Sequence, residues 1–153
     1  MRRKDKQIDD KNIINSILMK ADVCRIGLCD GNIPYIVPMN FGFDEHNLYL
    51  HSAREGRKID IIKNNNNVCF EVETDVELVK SDIACNWGAK YYSVIGKGKA
   101  FIVEEYSEKI KALEFIMRKY SGEKEFVFDE ERVNRVSIIK IQIEDMTGKK
   151  SGY

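Results

Sequence analysis

The chain has 153 residues, 43% hydrophobic and 33% charged, and its 25 basic and 25 acidic side chains cancel to a formal net charge of zero. That length suits one domain over residues 1–153 that buries about 70% of its unfolded surface. The charge balance supplies no field drawing the chain to nucleic acid or an anionic membrane, and it permits self-association. No apolar run approaches the roughly 18 residues of a membrane-spanning helix. The N-terminal cations precede no apolar segment of the signal-peptide kind, so a cytoplasmic, reduced protein is expected.

Residues 1–10 read as a polar N-terminal arm carrying Arg2, Arg3, Lys4 and Lys6. No basic stripe continues it, so a solvated terminus or a subunit contact is expected rather than nucleic-acid binding. Asp9 or Asp10 is placed to cap a short helix over Lys11–Met19, with Ile13, Ile14, Ile17 and Leu18 on one face. Val23–Leu28 reads as a strand, Asp30-Gly31 as a hairpin turn, and Ile33–Phe43 as the returning strand. Pro34 and Pro38 cannot donate to a ladder, so each belongs at an edge, a bulge or a bend. Asp44–Asn47 is a turn and Leu48–His51 a third strand.

The segment His51-Ser52-Ala53-Arg54-Glu55-Gly56-Arg57-Lys58 joins that strand to a helix at Ile59–Lys63. Small polar residues, a glycine and three cations at a strand-to-helix turn suit an anion, because N–H groups point outward at a helix start and the dipole favours negative charge. Arg57 offers a fork of donors and Lys58 a compact charge. A solvated charged turn explains the same residues equally well.

Four asparagines, Asn64 to Asn67, end this helix, and Val68–Val72 is a fourth strand. Thr74–Asp82 either continues it or crosses over. Tyr91–Val103 is a long strand in which Gly96 and Gly98 suggest a bulge or a close backbone approach. Ser107–Tyr120 is the strongest helix, with Ser107 as cap and Ile110, Leu113, Ile116 and Met117 as its apolar face. Glu123–Arg132 is polar, and Val136–Ile143 is a final strand. About six antiparallel strands with few helices imply an all-β or α+β barrel or a strongly bent sheet.

These segments together resemble a known family. Met1-Arg2-Arg3-Lys4-Asp5, Cys24-Arg25-Ile26, Pro34 to Gly42, His51 to Lys58, Val68-Cys69-Phe70-Glu71, Tyr91 to Gly98 and Thr147-Gly148-Lys149 occur in order along the chain. In them the chain resembles the nitroimidazole-resistance branch of the pyridoxamine 5'-phosphate oxidase-like flavoproteins. The resemblance implies an FMN-binding split β-barrel with a few flanking helices, assembled as a homodimer whose flavin sites lie at the interface. It places His51, Ser52, Arg57 and Lys58 at the phosphate. Pro38, Met39, Asn40 and Phe41 would lie along the isoalloxazine ring, and Tyr92, Ser93 and Val94 on a second strand near the cofactor. It also sets a histidine matching His51 near the flavin or substrate, as the candidate catalytic residue.

The residues carry part of this independently. A strand interrupted by proline leaves backbone groups free for a ligand, and Asn40 carries both donor and acceptor. An edge strand with a turn-forming asparagine explains the same pattern. Arg25 in an apolar strand needs a carboxylate such as Glu71, a dimer contact, or solvent. Trp87, Tyr91 and Tyr92 could wall a flat cleft or pack an interface. Cys24 and Cys69 read as buried small hydrophobes. No metal site has support from two histidines without an acidic cluster. Gly96-Lys97-Gly98-Lys99 lacks the length and hydroxyl of a P-loop, and Gly27, Gly31 and Gly42 lack dinucleotide spacing.

The expected activity is FMN-dependent reduction of a small, planar, electron-poor substrate such as a 5-nitroimidazole. Electrons would come from NAD(P)H or a separate reductase. A non-enzymatic flavin-binding or storage protein, and a haem-binding relative of the same barrel with His51 as ligand, are the alternatives.

Overall fold

The computed structural model describes residues 3–122 and 124–153. Met1 and Arg2 of the expected arm, and Glu123 at the start of the expected polar segment, lie outside the described residues. Eight strands form one antiparallel sheet. They are β1 (Gln7–Ile8), β2 (Cys24–Asp30), β3 (Ile33–Met39), β4 (Phe41–Phe43), β5 (Asn47–Ala53), β6 (Asn67–Val79), β7 (Gly88–Val103) and β8 (Val136–Ser151). The helices are α1 (Lys11–Lys20), α2 (Arg57–Asn64), α3 (Tyr106–Ser121) and α4 (Glu130–Arg135).

The sheet order is β3-β2-β6-β7-β8-β5-β4, with β1 added beside β8. It is not closed into a barrel, which corrects the expected split barrel of about six strands. The two edges, β3 and β4, do not pair with each other. The reason is geometric. Asn40 alone separates Met39 from Phe41, and antiparallel pairing needs a reversing turn while parallel pairing needs a long crossover. The chain instead steps from one edge of the sheet to the other across Asn40. Eight strands replace six because the expected Ile33–Phe43 strand divides there, and because Gln7 and Ile8 of the expected arm dock on β8 opposite Lys149 and Gly148. Pro34 and Pro38 both lie on the edge strand, four residues apart and so of one parity, which lets both missing donors face its free side.

Local chemistry sets most boundaries. The Asp10 carboxylate accepts from the Asn12 N–H and starts α1, whose Ile14, Ile17 and Leu18 are buried while Ile13 is exposed. Thr74–Val79 continues β6 past a register shift between Thr74 and Glu77, where Asp75 takes a positive φ of 56°. A second shift, between Lys97 and Gly98, is a bulge whose extra residue is Glu144 on β8, not on β7 where one was expected. The cap of α3 is Glu105, not Ser107: its carboxylate accepts from the Glu108 N–H and the Ser107 hydroxyl. The buried stripe of α3 is Lys109, Ala112 and Ile116, rotated from the expected one, because Lys109 donates its ammonium to the Val136 carbonyl 3.2 Å away.

The main core joins α1 and α2 to one face of the sheet through Ile17, Leu18, Ile59, Ile62, Phe41, Leu48, Leu50, Phe70, Val94 and Ile141. A smaller cluster of Tyr49, Val103, Ala112, Ile116 and Ile138 seats α3 on the opposite face. β5 is therefore buried on both faces, Leu48 and Leu50 one way and Tyr49 the other. Cys24 is in the main core, but Cys69 is exposed. Alternation sends Val68, Phe70 and Val72 inward and Cys69 outward, so the expected burial of both thiols holds for Cys24 alone.

Candidate functional site

β5 delivers Ser52 and His51 to the start of α2, and β3 runs its last residues past the same place. Between them lies an open cleft of about 380 Å³ lined by Val37, Pro38, Met39, Asn40, His51, Ser52, Ala53, Lys58 and Val136. Six residues expected from sequence thus meet: Pro38, Met39, Asn40, His51, Ser52 and Lys58. His51 is exposed and Lys58 half-buried.

Ser52 is the unusual member. It is buried, and among the described residues its hydroxyl is the one buried side-chain oxygen or nitrogen without a hydrogen-bond partner. A buried orphan hydroxyl is costly unless something arrives to satisfy it. The start of α2 is also bare. Gly56 offers no capping side chain, and its φ of 123° is a conformation that favours glycine. The first N–H groups of α2 therefore lack a side-chain acceptor at the positive end of the helix dipole. An orphan hydroxyl, an uncapped helix start and an ammonium on one cleft make a donor set that fits a phosphate group. Asn40 Nδ2 donates to the Asp22 carbonyl at 3.4 Å, so its amide oxygen remains available.

Five expected residues lie elsewhere. Phe41 is fully buried in the main core. Arg57 turns away from the cleft, its guanidinium 3.7 Å from Asp30 and stacked 4.8 Å over the Tyr35 ring. Tyr92, Ser93 and Val94 pair with Lys150, Lys149 and Gly148 near the end of β8, whereas Ala53 pairs with Val136 at its beginning. The two groups of expected cofactor residues thus sit at opposite ends of one 16-residue strand. Ser93 and Val94 are buried, while Tyr92 borders a second cleft of about 580 Å³ with Lys20, Thr74, Asp75 and Lys150. The Thr147-Gly148-Lys149 segment is at this far end as well. It is strand, and Lys149 donates to the Tyr91 hydroxyl at 2.6 Å.

Among the described residues no ring stacking joins Trp87, Tyr91 and Tyr92. Tyr92 stacks on Tyr153, with centroids 4.8 Å apart and planes 6° from parallel, while Trp87 is exposed. Arg25 takes the carboxylate option, pairing with Glu71 at 3.3 Å and Glu73 at 3.0 Å. Burial, with the Glu73 charge, holds the Glu71 carboxyl above the usual carboxylate range against the pull of Arg25. Among the described residues no group of three or more His, Cys, Asp and Glu side chains is arranged to hold a metal ion. Likewise no helix is long and apolar enough to cross a membrane.

Sequence reasoning missed Tyr120 and Asp22, which hold the Asn40–Phe41 step by hydrogen bonds from outside the cleft. The pairing depends on α3 returning to the start of β2, and no local pattern signals it.

The pyridoxamine 5'-phosphate oxidase family profile matches residues 10–150. No curated protein sequence matches at a significant level. Among solved structures, the chain is similar to a candidate 5-nitroimidazole antibiotic resistance protein from Bacteroides thetaiotaomicron. They are 39% identical over 94% of this chain and 86% of that one, with a TM-score of 0.83. A flavocytochrome from Azotobacter vinelandii superposes with a TM-score of 0.85 at 17% identity, covering 100% of this chain and 72% of that one. An FAD and heme binding protein from Mycobacterium smegmatis does so with a TM-score of 0.86 at 13% identity, covering 97% and 74%. At those two identities the likeness shows the fold alone.

Proposed function

We propose that this chain, which belongs to the pyridoxamine 5'-phosphate oxidase-like flavoproteins and is closely related to the Bacteroides protein, is an FMN-dependent reductase of small nitroaromatic compounds such as 5-nitroimidazoles. The observation that carries the reading is the orphan Ser52 hydroxyl beside the uncapped start of α2. Ser52, the first N–H groups of α2 and the Lys58 ammonium hold the phosphate. Pro38, Met39 and Asn40 give the ring system an apolar edge and a bifunctional amide. His51, exposed on the same cleft, orients the substrate or holds a proton beside it.

FMN, when bound, supplies the electron transfer, and the protein supplies position and electrostatics. Electrons enter from NAD(P)H directly or through a separate reductase. The active unit is a homodimer, in which the Tyr92 end of one protomer completes the cleft of its partner. Support for that assembly is the separation of the two groups along β8, which leaves each cleft without the Tyr92–Val94 group within one chain.

The test is an anaerobic absorption experiment on purified protein with and without added FMN. Binding is expected to give a structured flavin band that bleaches on reduction and returns on adding a 5-nitroimidazole. Flavin that binds but is not reoxidised by the drug would replace the reductase reading with a flavin-binding role. Failure to bind FMN would overturn the cofactor assignment itself.

A further inference from the structure

The step from β3 to β4 has no ladder of its own, yet it forms one wall of the cleft. Its position is set from the last turn of α3. The Tyr120 hydroxyl accepts the Phe41 N–H at 3.1 Å and donates to the Asp22 carbonyl at 2.7 Å. Asn40 Nδ2 donates to that same carbonyl at 3.4 Å. One phenol thus joins the backbone of the step to the segment between α1 and β2. Lys119 lies beside the same link, its ammonium 4.5 Å over the Phe41 ring and 4.6 Å over the Tyr120 ring, but its hydrogen bonds go elsewhere. Its ammonium donates to the Met19 carbonyl at 3.2 Å and to the Ala21 carbonyl, satisfying the C-terminal end of α1.

We infer that Tyr120 is a positioning residue for the cleft: its hydroxyl fixes the Asn40 wall against which the flavin ring lies. The inference rests on the FMN reading of the cleft. Tyr120 touches no cleft atom itself and acts through Phe41 and Asp22. Without its hydroxyl the Phe41 N–H loses its acceptor, and Asn40 keeps only its own 3.4 Å bond to the Asp22 carbonyl between two sheet edges. Tyr120 is 40% exposed, so the ring-preserving change Tyr120→Phe removes the bond without hollowing the core.

The experiment compares the full-length parent, Tyr120→Phe and Lys119→Met in three measurements: amide hydrogen exchange without FMN, FMN affinity, and the absorption band of the bound flavin. For Tyr120→Phe, exchange at Phe41 is expected to rise about tenfold with Leu48–Leu50 unchanged. FMN affinity is expected to fall about tenfold and the bound band to lose structure. Lys119→Met is expected to lower the melting temperature while FMN affinity stays at the parent value. Unchanged exchange at Phe41 would overturn the inference. So would faster exchange with parental FMN affinity and spectrum, which would make the bond purely structural. An equal loss of affinity in Lys119→Met would assign the effect to α3 docking and overturn it too. If the parent itself binds no FMN, the cofactor reading falls and the inference with it, an outcome visible before any variant is compared.

Discussion

Gly96 faces the ring of Phe70 directly across the β6–β7 ladder. A Cβ on Gly96 would overlap the tip of that ring and stand 2.5 Å from its Cε1. Phe70 is 1% exposed and has no room to retreat. Gly96→Ala is therefore expected to destabilise the fold by about 1–3 kcal/mol through overpacking. The urea midpoint should drop while the slope of the transition stays constant. A midpoint equal to the parent's would show that the ring is not fixed there.

Ser52→Ala should separate stability from cofactor binding. The hydroxyl bonds to nothing in the protein, so its removal relieves a desolvated group and leaves the free protein as stable or up to about 1 kcal/mol more stable. FMN affinity should fall in the same variant. Scanning calorimetry with and without FMN reads both. A loss of stability without FMN would mean that the hydroxyl has a structural partner.

Lys58 and Arg57 should differ although both were expected at the phosphate. Lys58 lines the cleft, whereas the Arg57 side chain is taken up by Asp30 and Tyr35. Lys58→Ala is expected to weaken FMN binding about tenfold, the scale of one charge-assisted contact, and Arg57→Ala to weaken it much less. Fluorescence titration decides. The reverse order would mean that Arg57 swings into the cleft when the ligand arrives.

Acid should weaken the turn before β5. Burial works to raise the Asp44 carboxyl, but the Tyr49 hydroxyl, the backbone N–H groups of His46 and Asn47 and the Asn47 amide outweigh it and hold it below its ordinary value. A folded value below the unfolded one means that this contribution is present at neutral pH and is lost as pH falls through the folded value. Urea midpoints of the parent and Asp44→Asn, taken from about pH 6 to about pH 3, should differ most at the top and converge toward the bottom. A constant gap would assign the effect to geometry rather than charge.

The thiols should react in a definite order. Burial, reinforced by the Glu71 carboxylate, pushes Cys24 up to about 12, whereas Cys69 is exposed on the adjacent strand β6, across the ladder from Gly27. The thiolate is the reacting species. Iodoacetamide at about pH 8, a little below the usual thiol value, should label Cys69 in the folded protein and Cys24 only after unfolding, as followed by peptide mass spectrometry. Early labelling of Cys24 would show that the core opens there.

Features decided within a few residues of chain were legible in the sequence. Asp10 caps α1 because its carboxylate reaches an N–H two residues on. Val68, Phe70 and Val72 face inward because a strand alternates, although the expected burial of Cys69 overlooked that phase. The turn from His51 to Lys58 suits an anion because a glycine opens a helix there. Even so, local reading chose the wrong cap for α3, where Glu105 reaches further than Ser107. It also joined β3 to β4 as one strand, since nothing at Asn40 itself says that its two neighbours belong to opposite edges.

What the amino-acid sequence determined by itself is therefore the family, most of the strand and helix segments, and the residue types at the turn from His51 to Lys58. Only the tertiary structure decided that the sheet stays open, that Pro38 and Asn40 meet His51 and Ser52 while Tyr92 lies at the far end of β8, and that Tyr120 holds the cleft wall. Capping and alternation are short-range properties of bond geometry. Strand order and the meeting of distant segments depend on which pairing buries the most apolar surface across the whole chain, and that balance has no local signature.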